Sequence, residues 1–144
     1  MLSRSLSNER LVRVQWGDCD PAGIVFYPRY FEWFDASSIL LFEKATGMTK
    51  IRMLEKYNGA GLALLEARAV FKVASQYGDD IQIATQITEF RRSSFFVHHT
   101  VTKGDMLALE GFETRLWTTR DPANPGRLRS APMPDEIRAA FNQT

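Results

Sequence analysis

Read by the spacing of its apolar positions, the chain divides into one long helical stretch and a series of alternating segments. Residues 11–16 alternate, Leu11, Arg13 and Gln15 against Val12, Val14 and Trp16, and predict a first strand. The polar residues 1–10 ahead of it predict a frayed end. From about residue 27 to residue 44 the pattern is helical, opened by Pro28 and followed by Gly47, which suits a left-handed C-terminal position. Tyr30, Phe31, Phe34, Leu40, Leu41 and Phe42 surround a narrow stripe of Glu32, Asp35, Glu43 and Ile39. A surface helix shows one apolar face, so this one is expected to be buried. Residues 50–57 predict one or two further helical turns, and Asn58-Gly59 with Gly61 predicts a break.

Beyond residue 62 the period becomes two. In residues 62–75, Ala67, Ala69, Phe71 and Val73 oppose Glu66, Arg68, Val70 and Lys72. After Gly78-Asp79-Asp80, residues 81–90 place Ile81, Ile83 and Ile87 on one face. Residues 94–102 and 106–118 follow as strands across Lys103-Gly104-Asp105, with Gly111 marking a bulge or bend. Residues 121–126, with two prolines, predict a loop, and Pro134-Asp135-Glu136 opens a short helix ending near Phe141. A strand, a helix and four successive strands predict an antiparallel α+β domain, residues 1–144 forming one unit.

Composition narrows the function classes. The 18 basic and 17 acidic residues leave a net charge of +1, which gives no electrostatic case for nucleic acid or a membrane surface. The single cysteine excludes an intrachain disulfide and any CxxC metal site, and predicts a reducing, cytoplasmic setting. No run approaches the length of a transmembrane helix. His98 and His99 are adjacent on a predicted strand and point to opposite faces, so they form no metal pair. His99, in phase with Phe95, Val97 and Val101, reads as a satisfied core histidine. No metal is expected.

The chemistry concentrates in residues 17–36. Asp18 and Asp20 flank Cys19, then Pro21, Gly23 and Pro28 lead into the helix. Aspartates beside Pro and Gly are ordinary caps and turn formers. They also place a carboxylate beside a helix start whose backbone N–H groups are unpaired and partially positive. Cys19 is a poor nucleophile, because its neighbouring carboxylates disfavour a thiolate.

The run Gly17-Asp18-Cys19-Asp20-Pro21-Ala22-Gly23-Ile24-Val25, with Tyr27-Pro28, Tyr30, Trp33 and Asp35-Ala36, resembles the signature of the 4-hydroxybenzoyl-coenzyme A thioesterase family. The resemblance implies a hotdog fold, a five-stranded antiparallel sheet wrapped around one long central helix. Such sheets pair into dimers, often dimers of dimers (homotetramers), with sites at the interface. It implies that Asp20 is the catalytic carboxylate, as nucleophile or general base, and that the Tyr27 N–H polarises the thioester carbonyl. Asp18 then caps the loop. Asp35, a polar residue in an otherwise apolar stretch, is expected by itself to contact a polar substituent on the acyl group or, equally, strand backbone or a second subunit. Arg91 and Arg92, adjacent at a strand end, read by themselves as solvated surface charge; the resemblance implies that they hold nucleotide phosphates, with weaker or shifted contacts because Ser93 stands where a member of the family carries a basic residue. The implied activity is hydrolysis of an aromatic or other compact acyl-coenzyme A, the coenzyme being substrate and no cofactor being retained. Alternatives are an acyl-carrier-protein thioesterase and a non-catalytic acyl-coenzyme A binding module. A hotdog dehydratase is disfavoured, since nothing resembles its histidine motif.

Overall fold

The structure is a computed structural model describing residues 4–143. Its strands are β1 (Arg4–Ser5), β2 (Ser7–Arg13), β3 (Gly61–Phe71), β4 (Asp80–Phe90), β5 (Ser94–Lys103), β6 (Met106–Asp121), β7 (Asn124–Ser130) and β8 (Asn142–Gln143). Its helices are α1 (Pro28–Thr46), α2 (Lys50–Lys56) and α3 (Asp135–Ala140). A curled antiparallel sheet runs β2-β4-β5-β6-β3, β7 adds to β6, and β1 pairs with β8.

Several expectations change. Of the end predicted to fray, residues 1–3 lie outside the described residues, while Ser7–Arg13 form the first sheet strand, paired from Ser7↔Gln86 to Arg13↔Asp80. The predicted strand at 11–16 is therefore displaced: Leu11 is exposed and Trp16 opens a 3-10 turn, Trp16–Asp18. The ladder to β4, not apolar alternation, recruits Asn8, Glu9 and Arg10. The loop predicted at 121–126 is the turn of a β6–β7 hairpin, in which the Asp121 carboxylate accepts the Ala123 N–H at 2.9 Å. Pro125 is tolerated there because β7 is an edge strand. The main sheet consequently has six strands rather than five.

Residues 72–75, expected to continue β3, leave its regular ladder. Lys72 and Val73 both donate to Ala108 O, and Ser75 O accepts the Val25 N–H at 2.8 Å, pinning the loop before α1. Gly111 produces no bulge; the register shifts fall elsewhere, at Leu64/Glu66 and Ile87/Glu89 among others. A Cβ at Gly111 would sit 2.4 Å from Phe34 Cε2, so its glycine is what lets α1 approach β6.

The longest helix, α1, ends at Gly47, whose φ of 70° satisfies the left-handed expectation. It is not buried all round in the single chain. Tyr30, Phe34, Ser37, Ser38, Leu41 and Phe42 face inward, whereas Asp35, Ala36 and Leu40 are exposed. Two apolar clusters lie beneath it. One gathers Val14, Val25, Tyr30, Phe34, Ile81, Ile83, Val101 and Leu109. The other gathers Leu41, Phe42, Ile87, Phe95, Val97, Trp117, Ile137 and Phe141. Between them, along α1, β4, β5 and β6 alike, the inward positions are polar: Ser38, Thr85, His99, Glu113 and Arg115.

Candidate active site

The loop between β2 and α1 is held by its own backbone. Asp18 closes its first turn, accepting the Gln15 N–H at 2.8 Å, as its expected capping role requires. Cys19 and Val25 form an isolated bridge, Asp20 N donates to Ile24 O at 2.9 Å, and Phe26 N donates to Asp18 O at 2.8 Å. Gly23 completes the reversal with φ 85°, a left-handed geometry that suits glycine.

Two groups emerge from this loop with capacity to spare. Asp20 is half-buried; its Oδ1 accepts the Ala22 N–H at 2.9 Å, and Oδ2 has no partner among the described residues. At the start of α1 the Arg29 N–H turns back to Phe26 O and the Tyr30 N–H to Tyr27 O, while Pro28 has no donor. The Tyr27 N–H is left without a hydrogen-bond partner among the described residues.

The two groups line neighbouring cavities rather than one. Asp20 borders a space of ≈ 330 Å³ walled by Trp16, Cys19, Pro21, Gly23 and Tyr77, the Trp16 and Tyr77 rings meeting edge to face at 5.5 Å. Tyr27 borders a space of ≈ 250 Å³ with Ile24, Tyr30, Phe71 and Val73. Gly23 lines the first and Ile24, the next residue in the loop, lines the second. Cys19 is a free thiol whose Sγ lies 3.8 Å from Gln15 O.

Asp35, two turns along α1, is 63% exposed and not enclosed by apolar side chains. Its Oδ1 accepts from Arg115 Nη2 at 2.8 Å, so its partner is a strand side chain rather than strand backbone. Arg115 belongs to the polar layer. Its Nε and Nη2 reach the two Glu113 oxygens at 3.0 and 3.1 Å, and Nη1 reaches Leu62 O at 3.0 Å. Ser38 donates to Glu113 Oε1 at 2.6 Å, and His99 Nε2 lies 3.3 Å from the same oxygen.

Burial alone would raise the Glu113 pKa; the hydrogen bonds from His99 and Arg115, together with the Arg115 charge, outweigh it and hold the carboxyl at about 2. Burial pushes the His99 pKa down despite Glu113, which keeps the ring neutral. Because an ionised carboxylate only accepts, the His99 proton sits on Nε2, and Nδ1 accepts from the Thr85 hydroxyl at 2.8 Å. For Arg115, burial works against the charge but Glu113 and Asp35 prevail, and its pKa is raised. Phe34 stacks on the His99 ring at 4.4 Å and seals the layer under α1. His99 is thus the satisfied core histidine that its phase predicted, and His98 faces the other side, 3.1 Å from Glu110.

Arg91, Arg92 and Ser93 form the β4–β5 turn, at the opposite end of β4 from the loop. Ten residue steps at ~3.3 Å place them roughly 30 Å from the Asp80 end of the strand. Arg91 Nε is 3.3 Å from Glu89 Oε1, and its guanidinium lies 5.0 Å from the Phe96 ring centre. It borders a space of ≈ 480 Å³ with Glu66, Arg68, Thr88 and Phe112. Arg92 O and Ser93 O accept from Met133 and Trp117. One chain therefore does not bring these residues to Asp20.

A profile of the thioesterase-like superfamily matches residues 14–141. The chain belongs to this superfamily. It is 34% identical over 139 residues to 4-hydroxybenzoyl-CoA thioesterase of Pseudomonas sp. (strain CBS-3), covering 92% of this chain and 94% of that one. The solved structure of the thioesterase from that strain superposes with a TM-score of 0.84 at 32% identity, covering 93% and 98% of the two chains. A mutant of 4-hydroxybenzoyl CoA thioesterase complexed with 4-hydroxybenzoyl CoA gives 0.85 at 31%, over 94% and 98%. A gentisyl-coenzyme A thioesterase gives 0.76 at 30%, over 93% and 98%. The resemblance carried by residues 17–36 thus extends over nearly the whole chain.

Glu113 and Arg115 escaped the sequence reading, although their phase with Trp117 on β6 was a usable signal: inward charges two residues apart are to be paired. Trp16 and Tyr77, the aromatic wall beside Asp20, also escaped it. Among the described residues no group of three His, Cys, Asp or Glu side chains is arranged to hold a metal ion. Nor is any helix there long and apolar enough to cross a membrane.

Proposed function

We propose that this chain is an acyl-coenzyme A thioesterase acting on an aromatic, 4-hydroxybenzoyl-like or similarly compact acyl group. The observation that carries the reading is the pair of uncommitted groups on one rigid loop, the Asp20 Oδ2 and the Tyr27 N–H. An Asp20 oxygen adds to the thioester carbonyl carbon, whose oxygen takes up the electron pair and accepts a hydrogen bond from the Tyr27 N–H. The C–S bond then breaks and the sulfur leaves as a thiolate; water cleaves the resulting mixed anhydride to free acid and Asp20, and the proton released as the Asp20 carboxylate is regenerated ends on the thiol. Nucleophilic attack suits an ordinary carboxylate better than general-base work, for which it is weak. One such oxyanion donor contributes about 10²–10³ in rate.

The acyl group lies along α1 towards Asp35, whose free oxygen accepts from a polar substituent. Arg91, Arg92 and Ser93 serve the nucleotide, and their distance from Asp20 argues that a second copy supplies them. β3 supports this: it is an edge strand with Leu64, Leu65, Val70 and Phe71 exposed. The hotdog dimer that results, or a dimer of dimers, wraps its sheets around the α1 helices. With its thiol free, the protein suits the cytoplasm. The pairing of Arg91 with Glu89 and the serine at 93 favour one second reading, an acyl-carrier-protein thioesterase with a weaker nucleotide grip.

A thiol-release screen over aromatic and aliphatic acyl esters of coenzyme A and of a carrier protein tests this. Turnover of benzoyl-type coenzyme A esters is expected; absence of hydrolysis with every ester would overturn it.

A further inference from the structure

The buried polar layer reaches the surface at one carboxylate, and the way it does so has the form of a clamp. Arg115, 4% exposed, is fixed by Glu113 and by Leu62 O without any help from Asp35. Glu113 is in turn fixed by Ser38, three residues beyond Asp35 on the same helix. A closed ring results: Asp35 to Arg115, Arg115 to Glu113, Glu113 to Ser38, and back along α1. It ties α1 to β6 at two positions and leaves Asp35 with Oδ1 engaged and Oδ2 without a partner among the described residues. An unclamped aspartate at such exposure would sample several rotamers. An exposed ion pair adds little stability, so the part of the ring that comes to the surface gains its meaning from placement.

We infer that Arg115 is the positioning residue for Asp35 and thereby sets acyl-group selectivity: it presents a fixed acceptor oxygen that favours acyl groups bearing a hydrogen-bond donor, a hydroxyl or an amine, over those bearing none. The inference rests on the thioesterase reading above. A fixed acceptor left unpaired by the wrong substrate discriminates more strongly than an apolar wall does. The guanidinium suits the role because its planar fork serves Asp35, Glu113 and a carbonyl at once, whereas a lysine ammonium is a point charge.

The test is the ratio of kcat/KM for 4-hydroxybenzoyl-CoA to that for benzoyl-CoA, in wild type, Asp35→Asn, Arg115→Met and the double variant, with circular dichroism to confirm the fold. The wild-type ratio is expected to exceed about tenfold. Either single variant should collapse it, and the double variant should lower it no further, since both act through one oxygen. Should Arg115→Met not fold, Arg115→Lys decides, with a ratio between those of wild type and Asp35→Asn. Folded Arg115 variants that lose rate equally on both esters, leaving the ratio intact, would overturn the inference and reduce Arg115 to a packing role. A ratio unchanged in an active Asp35→Asn variant would also overturn it while the thioesterase reading stood. A wild-type protein that releases thiol from neither ester would instead sink that reading.

Discussion

Replacing Glu113 by Gln removes one charge from the centre of the polar layer while keeping nearly the same shape. Glu113 accepts from Ser38, His99 and two nitrogens of Arg115. Its pKa lies at about 2 against an ordinary 4.5, and at ~1.36 kcal/mol per unit that difference corresponds to roughly 3 kcal/mol. An independent comparison gives the same scale, since breaking a buried ion pair from one side costs about 3–5 kcal/mol. Urea unfolding at pH 7 should therefore show a loss of roughly 3 kcal/mol, seen as a lower midpoint with an unchanged slope. The pH dependence has a definite sign. A carboxyl lowered by folding contributes stability above its unfolded pKa of 4.5 and loses it as pH falls towards about 2. His99, held below 6.5 by burial, acts in the same direction: the unfolded chain takes up its proton first, so stability begins to fall below about pH 6.5. The variant should retain the His99 limb and lose the steeper one at lower pH. A loss under about 1 kcal/mol, or an acid limb identical to wild type, would refute the view that a charged Glu113 holds the layer together.

Other substitutions probe the scaffold. Gly111→Ala drives a Cβ into Phe34 and should cost about 1–3 kcal/mol in thermal unfolding; wild-type stability would mean α1 does not press on β6 there. At Gly23 nothing lies within 4 Å of an added Cβ, so Gly23→Ala should cost only its left-handed strain, about 1–2 kcal/mol. It should nevertheless slow thiol release, and unchanged turnover would separate the loop's shape from the chemistry. If a second copy docks on the β3 edge as proposed, Leu65→Arg should leave a monomer in sedimentation, with activity lost alongside; an active monomer would contradict a site completed by a second copy.

The legible parts of the chain were those where burial and periodicity coincide. β4 and β5 alternate cleanly because Ile81, Ile83, Phe95, Val97 and Val101 all face the core. β2 was misplaced because its ladder to β4 organises polar residues whose side chains carry no alternation signal. β7 was missed because two prolines and full exposure look like a loop until the hairpin with β6 is seen. The turn that precedes α1 was readable from residues 17–36, including the capping role of Asp18. The polar layer was not, because Glu113 and Arg115 are charges of the kind that usually face water. Only their pairing across β6, with Ser38 and Asp35 arriving from a helix some 80 residues earlier, gives them a reason to be inside.

Single-turnover thiol release from 4-hydroxybenzoyl-CoA by wild type and by Asp20→Asn addresses the proposed mechanism most directly. Asparagine preserves the size of the side chain and the oxygen that caps Ala22, and it removes the nucleophile. A fall of about 10³-fold or more in the Asn variant is expected, with the ester still bound and the fold intact. Hydrolysis at the wild-type rate in that variant would contradict the mechanism outright.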